Sequence, residues 1–282
     1  MKIQMLPRYT AAAASSRLRV FHLAVEVNRL CLAECVIGPL QTSAMADVVF
    51  MQKLDSQDIV RSHQRSLYDF DDVWDLALLN DAAGTVQAFT VDTPRHGALA
   101  PKHWELLPDM IDYEPIAPWP AADPSGLCWF GNFPNYASVA DLMSRAGEFS
   151  APMTISDADV SGFPNIHWSY RDFPDTLRSA GTALLSHRWA DPGKSANKMI
   201  AAVTLGVPCI INESPAYEAL ARAVGLEWAI VRDARELREA WTRLQDSEER
   251  RAYLAAIQPH VWDLYRPETI ARRFMEIVEG LN

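Results

Sequence analysis

The sequence predicts an α/β protein built as two Rossmann-like domains, each a parallel sheet flanked by helices. Three observations predict it. Strand-like and helix-like segments alternate from end to end, the pattern of successive βα units. The alternation is broken once, where Pro115, Pro118, Pro120 and Pro124 fall close together with Ala and Asp between them, a linker composition. The length, 282 residues, suits one large or two medium domains.

In the first half, Lys2 to Leu6 reads as a short strand. Ser16 to Arg29 reads as a helix with Leu18, Phe21, Val25 and Leu32 on one face. Asp47 to Met51 is an apolar strand, and Ser56 to His63 reads as helical. A strand from Leu67 to Phe70 runs into Asp69-Phe70-Asp71-Asp72, followed by a helix from Val73 to Leu79. Val86 to Val91 is the next strand. Asp92 then caps a helix with Pro94 in its first turn, where proline is tolerated. Glu105 to Pro108 reads as a last short strand.

After the prolines the alternation restarts. Leu127 to Phe130, Pro152 to Ser156, Asn165 to Trp168, Thr182 to Ser186, Val207 to Asn212 and Glu227 to Val231 read as strands. Ser138 to Arg145, Phe173 to Ala180, Pro215 to Val224 and Ala234 to Leu244 read as helices. Glu248 to Tyr265 and Glu268 to Glu279 close the chain as helices broken at Pro267. Right-handed crossovers place all strand-to-helix loops of a domain on one sheet edge. Ligands bind at that edge, so a cleft between two such edges is the expected active site.

Composition narrows the function. About half the residues are apolar (49%) and 22% are charged, so the chain can bury a core. No apolar run approaches the roughly 20 residues that span a bilayer, and Met1 to Met5 lacks the apolar core of a signal peptide. A cytoplasmic protein is expected. Cys31 and Cys35 are the only close cysteine pair; Cys128 and Cys209 sit in apolar runs and read as buried thiols. No metal site is expected. A net charge of −10 argues against nonspecific nucleic-acid binding.

One stretch carries chemistry. Gly193-Lys194-Ser195-Ala196-Asn197-Lys198 reads as a polar loop opening a helix, with Ser195 as its N-cap. Ala196, Met199, Ile200 and Val203 form one apolar helix face. Gly206 stops the helix in a left-handed residue, and a buried strand follows. Free N–H groups at such a helix start, with Lys194 and Lys198 beside them, can hold phosphate. From Arg178 to Asn212 the basic residues Arg178, Arg188, Lys194 and Lys198 face Asp191 alone, which points to one anionic ligand in an acidic protein. A solvated helix start is the other reading of the same residues.

These residues resemble the donor-binding segment of GT-B-fold glycosyltransferases that use nucleotide sugars: a Lys-Ser-x-Asn-Lys run opening a helix, then Gly206-Val207-Pro208 and a strand. Further segments resemble the family in order: Ser15 to Arg19 opening the first helix, Asp47 to Lys53, Leu107 to Asp112, and Trp129-Phe130-Gly131-Asn132 as the first strand and loop of the donor domain. The resemblance implies an N-terminal acceptor domain over 1–118, a nucleotide-sugar-binding domain over 119–266, and a C-terminal helix, 267–282, packing back toward the first domain. It implies that Lys194 and Lys198 neutralise the donor diphosphate and help the nucleotide leave, with Ser195 and Asn197 adding hydrogen bonds. Gly131, Asn132, His187 and Arg188 would line the same edge, and Ser16 and Arg17 would face it from the other domain. For Ser15 and Ser16, helix capping explains at least one. The chain departs from the family in Thr10 to Ala14, where a glycine-rich loop is usual, in Ala201, where a ribose-holding glutamate is usual, and in Asn132-Phe133-Pro134-Asn135, where an Arg/Lys pair is common.

Acceptor chemistry rests on carboxylates. Asp69, Asp71 and Asp72 sit at a strand's carboxyl end, where clustered carboxylates can provide a general base or bind a metal; Asp71 or Asp72 reads equally well as an N-cap. Asp92 with His96 is a second pair, and Asp92 reads as a cap. Trp168, Ser169 and Tyr170 follow a donor-domain strand, near a nucleobase or in a core. The expected function is transfer of a sugar from a nucleotide diphosphate sugar to an acceptor hydroxyl, with no cofactor besides that co-substrate. The acceptor would be a glycan, a lipid-linked molecule or a small molecule. The alternatives are a noncatalytic nucleotide- or sugar-binding relative, or a glycosyltransferase acting on modified DNA bases. A nicotinamide-dependent oxidoreductase lacks support, because no G-x-G-x-x-G follows any strand.

Overall fold

In a computed structural model, which describes residues 1–38, 46–53, 65–70, 76–114, 126–160, 162–186, 193–212 and 214–281, the chain divides into two compact units. The first comprises 1–110 and 263–282, the second 111–262. The expected helix Ser56 to His63, the start of the helix Val73 to Leu79, the four linker prolines, and the site candidates Asp71, Asp72, His187 and Arg188 lie outside the described residues.

The first unit is an all-parallel six-stranded sheet: β1 (Lys2–Leu6), β2 (Glu34–Ile37), β3 (Val48–Gln52), β4 (Ser66–Phe70), β5 (Ala88–Val91) and β6 (Trp104–Leu106), in the order β2-β1-β3-β4-β5-β6. The register pairs Ile3 with Val48, Phe50 with Leu67 and Tyr68 with Phe89. Its inner strands read as apolar runs because both faces are covered. On β3, Val48 and Phe50 join a core with Ile3, Met5, Leu67 and Phe274, whereas Val49 and Met51 join Tyr68, Phe70 and Phe89 on the other face. Phe50 meets Phe274 edge to face at 5.2 Å. Phe274 lies on the last helix, Pro267–Gly280, which buries Ile270, Phe274, Ile277 and Val278 in this unit's core.

Helix α1 follows β1 and corrects two expectations. It is built from Ala14–Ser16, a wider π turn at Arg17–Phe21, and His22–Arg29. Its N-cap is Ala13, with no side-chain cap, so neither Ser15 nor Ser16 caps it. The π turn adds a residue to the helix and shifts the phase of its apolar face. Leu18, Val20, Leu23, Ala24 and Val27 are buried, and Val25, expected on the inner face, is 64% exposed. Strand β2 escaped the sequence reading: it is a four-residue edge strand with one buried side chain. Helix α2 (Leu76–Ala83) and the short helix α3 (Pro94–Gly97) complete the βα series. Thr93 caps α3, accepting from the His96 amide at 3.3 Å, so the cap expected at Asp92 sits one residue later.

The second unit is a five-stranded parallel sheet: β7 (Gly126–Gly131), β8 (Met153–Ser156), β9 (Asn165–His167), β10 (Gly181–Ser186) and β11 (Cys209–Asn212), in the order β11-β10-β7-β8-β9. Around it run α4 (Ala140–Ala146), α5 (Phe173–Ala180), α6 (Asn197–Thr204), α7 (Pro215–Ala223), α8 (Ala234–Arg243) and the start of α9 (Ser247–Tyr265). The strand expected at Glu227 to Val231 is instead a 3-10 turn, Glu227–Ala229, touching β11 through the single bridge Ile211 to Ile230. Asp233 accepts from the Glu236 amide at 2.8 Å and starts α8, so the chain leaves the sheet edge before a ladder can form. Arg250, almost fully buried, donates to the Gly181 carbonyl at 2.7 Å and ties α9 to the start of β10.

Candidate functional site

The phosphate-type segment folds at the carboxyl edge of the second sheet. β10 ends at Ser186, and α6 begins at Asn197. Ala196, Met199, Ile200 and Val203 are buried, as their spacing requires of one helix face. Gly206 takes φ 76° and turns the chain into β11. The expected cap is corrected: Ala196, not Ser195, is the N-cap, and no side chain caps α6. The first-turn amides of α6 therefore carry no side-chain cap at the end where the helix dipole favours an anion.

Lys198, in the first turn of α6, is the centre of this site. Its stem is partly exposed, but its amine is buried and has no hydrogen-bond partner among the described residues. The amine lies 5.2 Å from the centroid of the Trp129 ring. It also abuts Gly131, the last residue of β7, which has φ 149°. A Cβ at Gly131 would stand 2.3 Å from Nζ of Lys198, so only glycine leaves the amine its place. Burial, and then the neighbouring charge of Lys194, push the Lys198 amine down to about 7. The indole Nε1 of Trp129 is a second buried donor without a partner. Tyr136 packs edge to face on the same indole at 5.2 Å.

The neighbouring loops are ordinary turn chemistry. Asn132 is exposed, and its carbonyl accepts from the Asn135 amide at 2.9 Å. Asp157, just past β8, accepts from the Phe133 amide at 2.7 Å. Beyond β9, Tyr170 stacks on Tyr113 at 5.4 Å and donates to the Asp112 carbonyl at 3.3 Å. Trp168 and Tyr170 stay about two-fifths exposed, at 39% and 41%.

At the carboxyl edge of the first sheet the candidates are already engaged. Asp69 is fully buried. Its two oxygens accept from Nε (2.6 Å) and Nη2 of Arg19, and Thr90 donates to it at 2.7 Å. Arg19 also donates to the Leu107 carbonyl at 2.7 Å and to Asp109 at 3.1 Å. Asp69, expected to contact an acceptor, is thus held in a bidentate buried ion pair with Arg19. Ser16 donates to Gln52 at 2.6 Å and accepts from the Tyr9 amide at 3.1 Å. Arg17 donates to the carbonyls of Ala11 and Ala12, both at 3.2 Å, and so braces the alanine loop. Asp92 and His96 form a buried pair at 2.5 Å, and burial raises the Asp92 carboxyl to about 6.

Two features escaped the sequence reading: Trp129 lies in an apolar run and reads as core, and Arg19 reads as one more helix residue. The signal for Arg19 was present: a cation between Leu18 and Val20 in a buried stretch needs an anion, and Asp69 lies in a buried strand. Among the described residues no three His, Cys, Asp or Glu side chains could together hold a metal, and no helix is long and apolar enough to cross a membrane.

No protein family and no curated protein matches the sequence. Solved structures do match. The Thermobaculum terrenum O-GlcNAc transferase aligns over 100% of this chain and 67% of its own, at 12% identity and a TM-score of 0.62. The lipopolysaccharide outer core galactosyltransferase WaaB aligns over 99% of both chains, at 10% identity and 0.61. An α1,3-fucosyltransferase solved with GDP-fucose aligns over 100% of this chain and 91% of its own, at 10% identity and 0.59. With its two parallel, helix-flanked sheets, the chain has the two-domain α/β fold of the GT-B glycosyltransferases.

Proposed function

We propose that this protein transfers a sugar from a nucleotide diphosphate sugar to an acceptor hydroxyl. The observation that carries the reading is the buried, unpartnered amine of Lys198 at the start of α6. An amine taken out of water without an acceptor costs stability, and an anion is the partner that restores it. In a low-dielectric site the same amine stabilises the charge that develops on a departing diphosphate. Lys194 adds charge beside it, and Ser195, Asn197 and the first-turn amides of α6 add donors. Gly131 borders the amine, and Asn132, His187 and Arg188 are the further residues proposed to meet the donor. This arrangement takes the role of a metal, and the structural likeness to a fucosyltransferase that holds GDP-fucose supports the donor class. Asp71 is the carboxylate proposed for acceptor contact, since Asp69 is committed to Arg19. Four free cysteines fit a reducing, cytoplasmic setting.

One observation favours a second reading. With Asp69 withdrawn and Ala201 where a ribose-holding glutamate is usual, a noncatalytic nucleotide-binding relative would carry the same anion site. A thermal-shift screen with UDP, GDP, ADP, CMP, dTDP and their sugars, followed by an assay for released nucleotide, separates the two. At roughly a hundred times its dissociation constant a ligand stabilises by about 2.7 kcal/mol. Stabilisation with nucleotide release in the presence of an acceptor supports transfer; stabilisation without any turnover supports the binding protein. Stabilisation by none of them overturns the donor site.

A further inference from the structure

Trp129 and Gly131 make an unusual wall for a cation. The indole face lies 5.2 Å from the Lys198 amine, and the missing Cβ of Gly131 leaves that amine its space. No acceptor in the described residues reaches it. We propose that Trp129 and Gly131 are positioning residues of this site: they hold the Lys198 amine in a dry cradle, so that a diphosphate entering it is bound together with one proton taken from solvent. The inference deepens the donor-site reading and rests on it.

The charge around the amine decides the direction. β7 contributes Trp129 and Gly131, neither of which titrates. The segment before α6 contributes Lys194, whose charge opposes a second ammonium. The turn after β7 contributes Tyr136, whose phenol burial raises, so it stays neutral. Ser186 of β10 and Asn212 of β11, the uncharged residues that end those strands, bond each other at 3.2 Å. Burial disfavours the ammonium, and the empty site favours the neutral amine over more of the pH range than water does, down to about 7. A diphosphate supplies the opposite charge and reverses that preference. The amine then gains a proton from the buffer, one N–H bond forms, and the ammonium donates to phosphate oxygens. Trp129 excludes water from the empty state, and Gly131 sets where the amine sits.

Calorimetric titration of the full chain with UDP and GDP at pH 8, in Tris and in HEPES, reads the proton directly, because the two buffers differ in ionisation enthalpy. The expected result is close to one proton taken up per bound nucleotide. Affinity should fall about tenfold for each pH unit above the point where the free amine titrates. Lys198→Met should abolish the uptake. Trp129→Leu should hydrate the amine and lower the uptake while nucleotide still binds, and Trp129→Phe, which restores a ring face, should regain most of it. Binding without proton uptake in the wild type, or uptake unchanged in Lys198→Met, overturns the proposal. A second measurement needs no ligand, and so separates failure of the cradle from failure of the donor reading. An amine held below its unfolded value makes the fold gain stability as pH rises, because the unfolded chain binds the extra proton. Wild type should therefore gain on Lys198→Met between about pH 7 and pH 10. No relative gain means no dry cradle, whatever binds. If a variant fails to fold, the wild-type proton count and its pH slope still decide the claim.

Discussion

Each unit buries a basic group near the carboxyl edge of its sheet, and the two are treated in opposite ways. In the first unit Arg19 has Asp69, Asp109 and the Leu107 carbonyl, and Thr90 completes Asp69. In the second unit the Lys198 amine has an indole face and no acceptor. A buried charge costs several kcal/mol unless paired and hydrogen-bonded. The first arrangement is therefore closed and architectural: it ties α1 to β4 and to the segment after β6. The second leaves the amine without an acceptor among the described residues. The residue types differ accordingly. Arginine's fork suits a fixed carboxylate, whereas a lysine amine shifts its protonation readily when buried.

The comparison breaks first if Asp69 can be removed without penalty. Asp69→Ala leaves Arg19 buried and unpaired at one side, and should cost about 3 to 5 kcal/mol in urea unfolding. The buried pair of Asp92 and His96 is an intermediate case and sharpens the contrast. The Asp92 carboxyl is raised to about 6, so its contribution is fully present below about pH 4 and is lost as pH rises through 6. Relative to Asp92→Asn, wild type should lose up to about 3 kcal/mol across that window, read from unfolding at several pH values. Gly131→Ala tests the open site from its wall. It places a Cβ against the Lys198 amine and occupies a left-handed backbone, which should cost about 1 to 3 kcal/mol and weaken nucleotide binding together. Tyr170→Ala removes one stacked pair and one hydrogen bond on an exposed loop, and should cost about 1 kcal/mol with the sheet unaffected.

Much of the fold was legible in the sequence because parallel strands covered on both faces leave long apolar runs. Val48 to Met51, all buried, is such a run, and its alternate residues serve the two core clusters. β2 was not legible, since a four-residue edge strand with one buried side chain leaves no run. The stretch Glu227 to Val231 looked like a strand, but one bridge to β11 precedes a helix cap, and local capping wins. The helix of the candidate site and its turn were legible where apolar residues recur at helical spacing, from Ala196 to Gly206. The partner of Asp69 was not legible, because a carboxylate at a strand's carboxyl end looks the same in sequence whether it is free or holds an arginine. Pairing decides, and Arg19 lies 50 residues away along the chain. Trp129 was hidden for the converse reason: a tryptophan in an apolar strand announces core, and only the Lys198 amine above its face gives it another role.

The most direct test of the central claim is a crystal structure of the protein with the nucleoside diphosphate that stabilises it most. A diphosphate oxygen should lie within about 2.7–2.9 Å of Nζ of Lys198, at the start of α6 and beside Gly131. A nucleotide bound elsewhere, with the Lys198 amine still unpartnered over Trp129, would contradict that claim.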